Sequence, residues 1–332
     1  MEMKEWMMVM YNENKKIIVS IICNAYNQEG YIRQALDGVI KQKTRFAFEI
    51  LVHDDASTDN TPNIIREYEK RYPEIIKPLY QSENQYSKGI SITNVYQLPR
   101  AKGRYIAFCE GDDYWSDENK LELQVDALEE NPDINICAHT VSIEKGNVMA
   151  GVVRPYSKNT IIRPQQVILN GGSFVGTCSI MYKKSMDDDM PCFRKKYSMD
   201  YTIQIHGALK GGLLYIDKNM GVYRIGSQGS WTETVLRNPQ KAVQHYNQMI
   251  KIMNEIDKET NFSFHNIIVF VIGEYKFKKF YDLGNNKALR LEAKKLRFSK
   301  NIGVYKMYNK KTALKIGVKY QFPFLYKYLH KK

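Results

Sequence analysis

The chain has 332 residues and a formal net charge of +13, with 43% hydrophobic and 26% charged side chains. Those proportions exclude a wholly disordered or fibrous chain, and the length accommodates one large domain or two modest ones. The charge is unevenly spread: residues 240–332 hold 20 Lys and Arg against 6 Asp and Glu, whereas the first 239 residues hold 29 against 30. A near-neutral body carries a strongly basic tail.

Residues 17–23 (IIVSIIC) are a continuous isoleucine-rich run broken only by Ser20, which reads as a strand buried on both faces. A polar loop over 24–30 leads into an amphipathic helix with Ile32, Leu36, Val39 and Ile40 on one side. A second strand, 48–53, stops at DDASTDNT, where Ser57 or Asp59 is the expected cap of a helix with Pro62 in its first turn. That helix gives way near Pro73 to a short strand over 75–80. After a further helical stretch, 104–109 is again a strand, stopped by EGDD, and 120–130 is a helix ended by Asn131-Pro132. This alternation predicts an α/β fold with a doubly wound, mostly parallel sheet. Beyond it the pattern loosens: 134–141, 179–183 and 213–217 read as strands, and 200–210 as a helix ending in Gly211-Gly212. From about Pro239 the period is helical throughout. Composition alone therefore divides the chain into 1–235 and a basic helical extension, 236–332.

Five cysteines (Cys23, Cys109, Cys137, Cys178 and Cys192) form no CxxC pair and leave an odd number, which is neither a disulfide framework nor a zinc signature. Thiols inside apolar runs are expected to be buried. No run approaches the roughly 18–20 apolar residues of a membrane span; the longest covers 267–272. The apolar stretch at 6–10 is short and follows Glu2 and Glu5, unlike a signal peptide. A reduced, cytoplasmic protein is the expectation.

In open α/β sheets, ligands collect at the carboxyl ends of the strands. Three such ends carry polar clusters, at 24–27 (NAYN), 54–57 (DDAS) and 110–113 (EGDD). Neighbouring carboxylates repel, so a site built from them suggests a bound cation. Carboxylate oxygens suit Mg²⁺ or Mn²⁺ held together with substrate phosphates. Neither a Walker lysine loop nor GxGxxG occurs, which leaves phosphate neutralisation to metal. Each cluster alone also reads as an ordinary turn of Asp, Ser and Gly. It is the succession of three that argues for a site.

Four stretches (VSIICNAYNQEGYI, EILVHDDASTDNT, AKGRYIAFCEGDDYW followed by KLELQVDALEENP, and MDYTIQIHGALKGGLLYIDKNMGVYR) resemble, in that order, the inverting nucleotide-sugar glycosyltransferases of family 2. The likeness covers about residues 17–231, and the GDDYW block is similar to the subgroup of bacterial polysaccharide and lipopolysaccharide assembly. It implies a GT-A fold and metal-dependent transfer (Mn²⁺ or Mg²⁺) from a nucleotide-diphosphate sugar, UDP-linked, to a cell-surface glycan or lipid-linked acceptor. It also implies residue roles. Asn24 and Tyr26 line the base pocket, the tyrosine ring stacking on the base, and Asp55 accepts a hydrogen bond from base or ribose. Glu110 and Asp112 stand at the ends of the metal motif, with Asp112 at ribose or metal and Asp113 on the metal. Asp200 is the general base, though an aspartate there also reads as a helix cap. Arg224 either covers the phosphates or makes a structural salt bridge.

The chain departs from that pattern at Thr93-Asn94, where relatives often carry an arginine before the asparagine. It departs again at Ile225-Gly226, where a histidine usually follows Tyr-Arg. Lys88, Arg100 and Lys102 are candidates to compensate on the phosphates, with surface solvation as the alternative. His206 reads as core or acceptor wall, Trp115 as packing, and Trp231 as a possible sugar platform. Thr177 and Cys178 are expected on the acceptor side. Residues 228–231 lack the arginine of the QxxRW motif, which disfavours a processive synthase. Two rival functions stay open: a catalytically degenerate binding or scaffold relative, and a sugar-phosphate nucleotidyltransferase. The latter would need a glycine-rich loop where residues 24–30 hold one glycine. For the basic tail, peripheral docking on an anionic membrane surface competes with a solvated helical face. Nucleic acid is not expected, because no recognised module accompanies the charge. The terminal stretch 318–332 alternates aromatic and cationic residues, as interfacial segments do.

Overall fold

β1 (Ile17–Ala25) takes up the apolar run as expected and is buried along most of its length. It is followed by the helix α1 (Ile32–Ile40), whose buried residues Ile32, Ala35, Leu36, Val39 and Ile40 recur at the helical period. β2 (Ala47–Asp54) lies parallel to β1 with all eight residues buried. The second crossover helix, α2 (Thr61–Arg71), has Pro62 in its first turn and buries Ile64, Ile65 and Tyr68. Of the two expected caps, Asp59 accepts the Thr61 N–H at 3.0 Å, while Ser57 instead accepts the Asn27 N–H. β3 (Ile76–Tyr80) pairs parallel with β2, and β4 (Tyr105–Phe108) parallel with β1 on its other side. Parallel neighbours require such helical crossovers, and covering both faces makes their strands continuously apolar.

The structure is a computed structural model that describes residues 16–197, 199–227, 235 and 238–324. After β4 come a two-residue strand, β5 (Tyr114–Trp115), and the helix α3 (Lys120–Glu130). Next follow β6 (Ile136–Lys145), β7 (Val148–Val153) and β8 (Thr160–Ile162). α4 (Pro164–Asn170), β9 (Met181–Lys183), α5 (Cys192–Lys196), α6 (Asp200–Leu209) and β10 (Leu213–Arg224) complete the sheet region. The strand order is β3-β2-β1-β4-β9-β6-β10-β5, with β7 on β6 and β8 on β10. β9 runs antiparallel between β4 and β6, whereas β10 runs parallel to β6.

Two features differ from the sequence reading. β6 and β7 form a hairpin that no alternation announced, because Val148, Met149 and Val152 are more than half exposed. β10 runs to Arg224 instead of stopping near Asp217. Register shifts around Asn219 interrupt its pairing and blur its period.

Contacts divide the chain into two compact units, Met1–Ser230 and Trp231–Lys332. The second contains α7 (Pro239–Glu259), α8 (His265–Asp282), α9 (Asn286–Leu296), α10 (Ile302–Tyr305) and α11 (Lys310–Gln321). Asn238, Asn285 and Asn309 cap α7, α9 and α11 through their side-chain oxygens. α8 and α9 approach closely at Gly273, where a β-carbon would lie 2.7 Å from Leu296. Among the described residues, no helix is long and apolar enough to cross a membrane.

Candidate active site

The three polar clusters meet at the carboxyl ends of β1, β2 and β4. Glu110 accepts the Asn24 backbone N–H at 3.1 Å and its side-chain amide at 3.4 Å, while the Gly111 N–H donates to the Asn24 carbonyl. The acidic loop is thereby sewn to β1. A side chain at position 111 would have to displace Gln28, since its β-carbon would lie 2.2 Å from Gln28 Oε1 and 3.0 Å from Ile32 Cδ1. Asn24 Oδ1 accepts from Gln97, which also donates to the Leu51 carbonyl at 2.8 Å. Gln97 is fully buried, and nothing in its local sequence marks it as a site residue. Tyr26 is 41% exposed. Asp55 is buried, and its carboxylate accepts the Gln85 and Tyr86 N–H groups at 2.8 and 3.0 Å, which ties the loop after β3 to the end of β2.

The electrostatics of the acidic loop are unfavourable for charge. Burial first, then Asp112 and Asp200, push Glu110 up to about 8 against the hydrogen bonds from Asn24. Burial also raises Asp112, although the Ser227 hydroxyl donates to it at 2.6 Å. Asp113 is almost fully buried and accepts the Arg224 N–H at 2.9 Å. Burial and then Asp112 hold it well above the usual carboxylate range. Ser227 lies 115 residues from Asp112 in the chain, and no motif pointed to it.

Asp200 is the first residue of α6. Its carboxylate accepts the Thr177 hydroxyl at 2.9 Å and the Tyr201 N–H at 2.6 Å, and burial raises its pKa. The helix-start position and a desolvated, doubly hydrogen-bonded carboxylate therefore coexist at one residue. Asp200 is near enough to Glu110 to contribute to the rise of its pKa.

Desolvated acids that force protons onto one another form a donor set that a divalent cation relieves, and their oxygens are hard ligands. Among the described residues, no three His, Cys, Asp or Glu side chains close on one point as a metal cage would. An ion here would depend on one or two carboxylates together with a phosphate-bearing ligand.

Several expectations are corrected. The Arg224 guanidinium is not available to cover phosphates. It donates to Glu144 at 2.7 Å, to the Asp112 carbonyl at 2.9 Å and to Gln34, and it lies near the Tyr31 and Tyr114 rings at 5.1 and 4.6 Å. Of its two expected roles, the salt bridge is the one present. Arg100 is neither solvated nor aimed at phosphate, for it donates to Gln97 and to the Lys77 and Val52 carbonyls. Lys88 pairs with Glu83, and Lys102 is exposed. Cys178 does not line the acceptor side because it is fully buried; Thr177 beside it does reach Asp200. His206 lies against Arg194 at 3.0 Å. Trp115 is buried packing, as expected. Trp231 and residues 228–230 lie outside the described residues, as do 1–15 and 325–332.

Strand order, acidic loop and cleft define a GT-A glycosyltransferase fold. The chain belongs to glycosyl transferase family 2, whose family model matches residues 20–190. It is 35% identical over 215 residues to an uncharacterized protein of Mycobacterium tuberculosis, covering 64% of this chain and 60% of that one. The chain thus spans about three fifths of the length of that curated relative. It is 32% identical over 153 residues to the Escherichia coli UDP-Glc:alpha-D-GlcNAc-diphosphoundecaprenol beta-1,3-glucosyltransferase WfgD, covering 46% and 54%. Among solved structures, Staphylococcus aureus TarS 1–349 in complex with UDP-GlcNAc is similar with a TM-score of 0.61 at 18% identity, covering 92% of this chain and 89% of that one. At that identity the likeness is one of fold.

Proposed function

We propose that the chain is a metal-dependent inverting glycosyltransferase that moves a sugar from a UDP-linked donor to a glycan or lipid-linked acceptor, on the cytoplasmic face of the plasma membrane. The observation that carries this reading is the desolvation of Glu110, Asp112 and Asp113 on one loop sewn to the carboxyl end of β1, with Asp200, at the start of α6, near enough to raise Glu110. The donor assignment is supported by the UDP-GlcNAc complex of TarS and the acceptor class by the name of WfgD.

In this reading, Tyr26 offers a ring to the base, while Asn24 and Asp55 are held ready by Gln97 and by the Gln85–Tyr86 backbone. Asp112 and Asp113 would hold Mn²⁺ or Mg²⁺, with Glu110 adding charge beside them. The ion would supply Lewis-acid stabilisation of the departing diphosphate. Asp200 accepts the proton of the acceptor hydroxyl as that oxygen attacks, and Thr177 fixes the carboxylate's orientation. Attack opposite the leaving group inverts the anomeric centre, and no covalent nucleophile is required.

Calorimetric titration of the full chain with a panel of nucleotide-diphosphate sugars tests the reading. One donor should bind with Mn²⁺ and fail to bind with chelator or in Asp112→Ala. Absence of binding by every donor, with the protein folded, would sink it. A second reading, a degenerate relative that binds without turnover, is favoured by the commitment of Arg224 to Glu144 and by Gly226 where the pattern has histidine. Donor binding with no transfer to any lipid-linked or oligosaccharide acceptor would select it.

A further inference from the structure

The Trp231–Lys332 unit has a face that its own packing leaves out. On its inner side, α11 buries Tyr320 against Phe277 and Phe270, and the Tyr320 hydroxyl donates to Glu274. On the opposite side, Leu314 and Val318 stand one turn apart and Phe322 follows a turn later. They are 71%, 45% and 55% exposed. Lys311 and Lys315, also exposed, border the same stripe at helical spacing. An outward apolar stripe edged with lysines is the reverse of a core-facing helix, and it is the pattern of a helix lying in a membrane–water boundary.

Where the stripe ends, a cavity of about 380 Å³ opens beside Arg290, Lys294, Arg297, Phe322 and Phe324. Arg290 and Lys294 are one turn apart on α9, and Arg297 follows at its C-cap. The Arg290 guanidinium lies 4.3 Å from the Phe324 ring centre. Arg297 Nε is buried without a hydrogen-bond partner. None of the three cations has an ion pair among the described residues. The acids of the neighbouring helices are engaged elsewhere, Glu292 with Lys295 and Glu274 with Tyr320. Unopposed cations around one cavity, next to exposed aromatics, select a ligand that is anionic at its head and apolar beside it.

We propose that this face docks the protein on an anionic phospholipid surface, with the Leu314–Val318–Phe322 stripe entering the interface and the Arg290, Lys294 and Arg297 cavity receiving a lipid phosphate. The proposal gives a site to the peripheral part of the reading above. It is tested without donor or acceptor, so its failure would leave the transferase reading standing. Charge complementarity names the occupant: an anionic leaflet attracts each such cation, and the attraction fades with salt.

The experiment is co-sedimentation of the full chain with phosphatidylcholine vesicles, with and without phosphatidylglycerol. Binding should require phosphatidylglycerol and weaken as salt rises. The double variant Lys294→Gln, Arg297→Gln should lower vesicle affinity about thirtyfold while circular dichroism stays unchanged. Leu314→Asp should lower it through the apolar arm. Wild-type protein that stays in solution with anionic vesicles at low salt would overturn the proposal, whatever the variants do. So would displacement from the vesicles by inorganic phosphate, which would assign the cavity to a soluble anion. A dimer in light scattering that Leu314→Asp dissolves would assign the face to a second copy. Single-stranded RNA binding without vesicle binding would overturn it equally.

Discussion

Asp200 carries the argument at the residue scale because two hydrogen bonds fix its carboxylate and burial raises its pKa. Asp200→Asn keeps the shape and removes the proton acceptor. Transfer should fall about 10²–10⁴-fold, with donor affinity by calorimetry unchanged. The acid limb of the wild-type rate profile should lie above the ordinary aspartate value of 3.8, since the protonated form is favoured. Rapid transfer by the asparagine variant would remove Asp200 from its role. A second residue-scale expectation concerns Lys120, fully buried with its ammonium 3.8 Å from the Trp115 ring centre and 2.6 Å from Gln124. Burial pulls its pKa down from 10.5 to about 8. Between those values the unfolded chain holds a proton that the folded one has lost, so this group's contribution to stability rises with pH there and is lost as pH falls through about 8. Denaturant melts of wild type and Lys120→Met should therefore diverge in favour of wild type between pH 8 and pH 10. Parallel curves would contradict the assignment.

At the scale of elements, the turn Thr177–Ser179 connects the two ends of the site. The Trp115 indole donates to the Cys178 carbonyl at 2.9 Å, and Gln124 donates to the Ser179 carbonyl at 2.8 Å. From that braced turn Thr177 reaches Asp200. β5 and α3, which follow the acidic loop directly, thus also position the turn that holds the proposed proton acceptor. Trp115→Phe keeps the ring and strands the Cys178 carbonyl, at a cost of about 1–3 kcal/mol in stability. If the turn positions Asp200, kcat should drop while KM for the donor stays near wild type. A loss confined to thermal stability would reduce Trp115 to packing.

At the scale of the whole molecule, four of the cysteines are buried and Cys192 is exposed. Burial raises Cys23, Cys109 and Cys178 well above the usual thiol range and Cys137 to about 12, which keeps them unreactive. A thiol reagent should modify one cysteine in the native protein and all five after denaturation. More than one fast-reacting native thiol would show that the sheet interior opens.

Features that depend on near neighbours in the chain were legible from its residue order. An isoleucine-rich run bounded by polar residues makes β1, the spacing of Ile32, Leu36, Val39 and Ile40 makes α1, and EGDD can only end a strand. For the same reason the carboxyl-end clusters, and with them Asn24, Glu110 and Asp112, stood out as candidates before any fold was known, whereas Asp200 was singled out only by the resemblance to family 2. Tertiary structure decided whatever joins distant segments. Arg224 could read either as a phosphate contact or as a salt bridge, and the choice fell to Glu144 and the Asp112 carbonyl, brought beside it by β10 lying along β6 and β5, together with Gln34 of α1. Gln97 and Ser227 carry no local signal because their partners are 73 and 115 residues away. On α11 the sequence mixes apolar residues with Lys310, Lys311, Lys315 and Lys319, and only packing, by burying Tyr320 on one side, decided that Leu314 and Val318 face outward. Periodicity fixes which residues share a face. Burial, which depends on every other element, fixes which way that face turns.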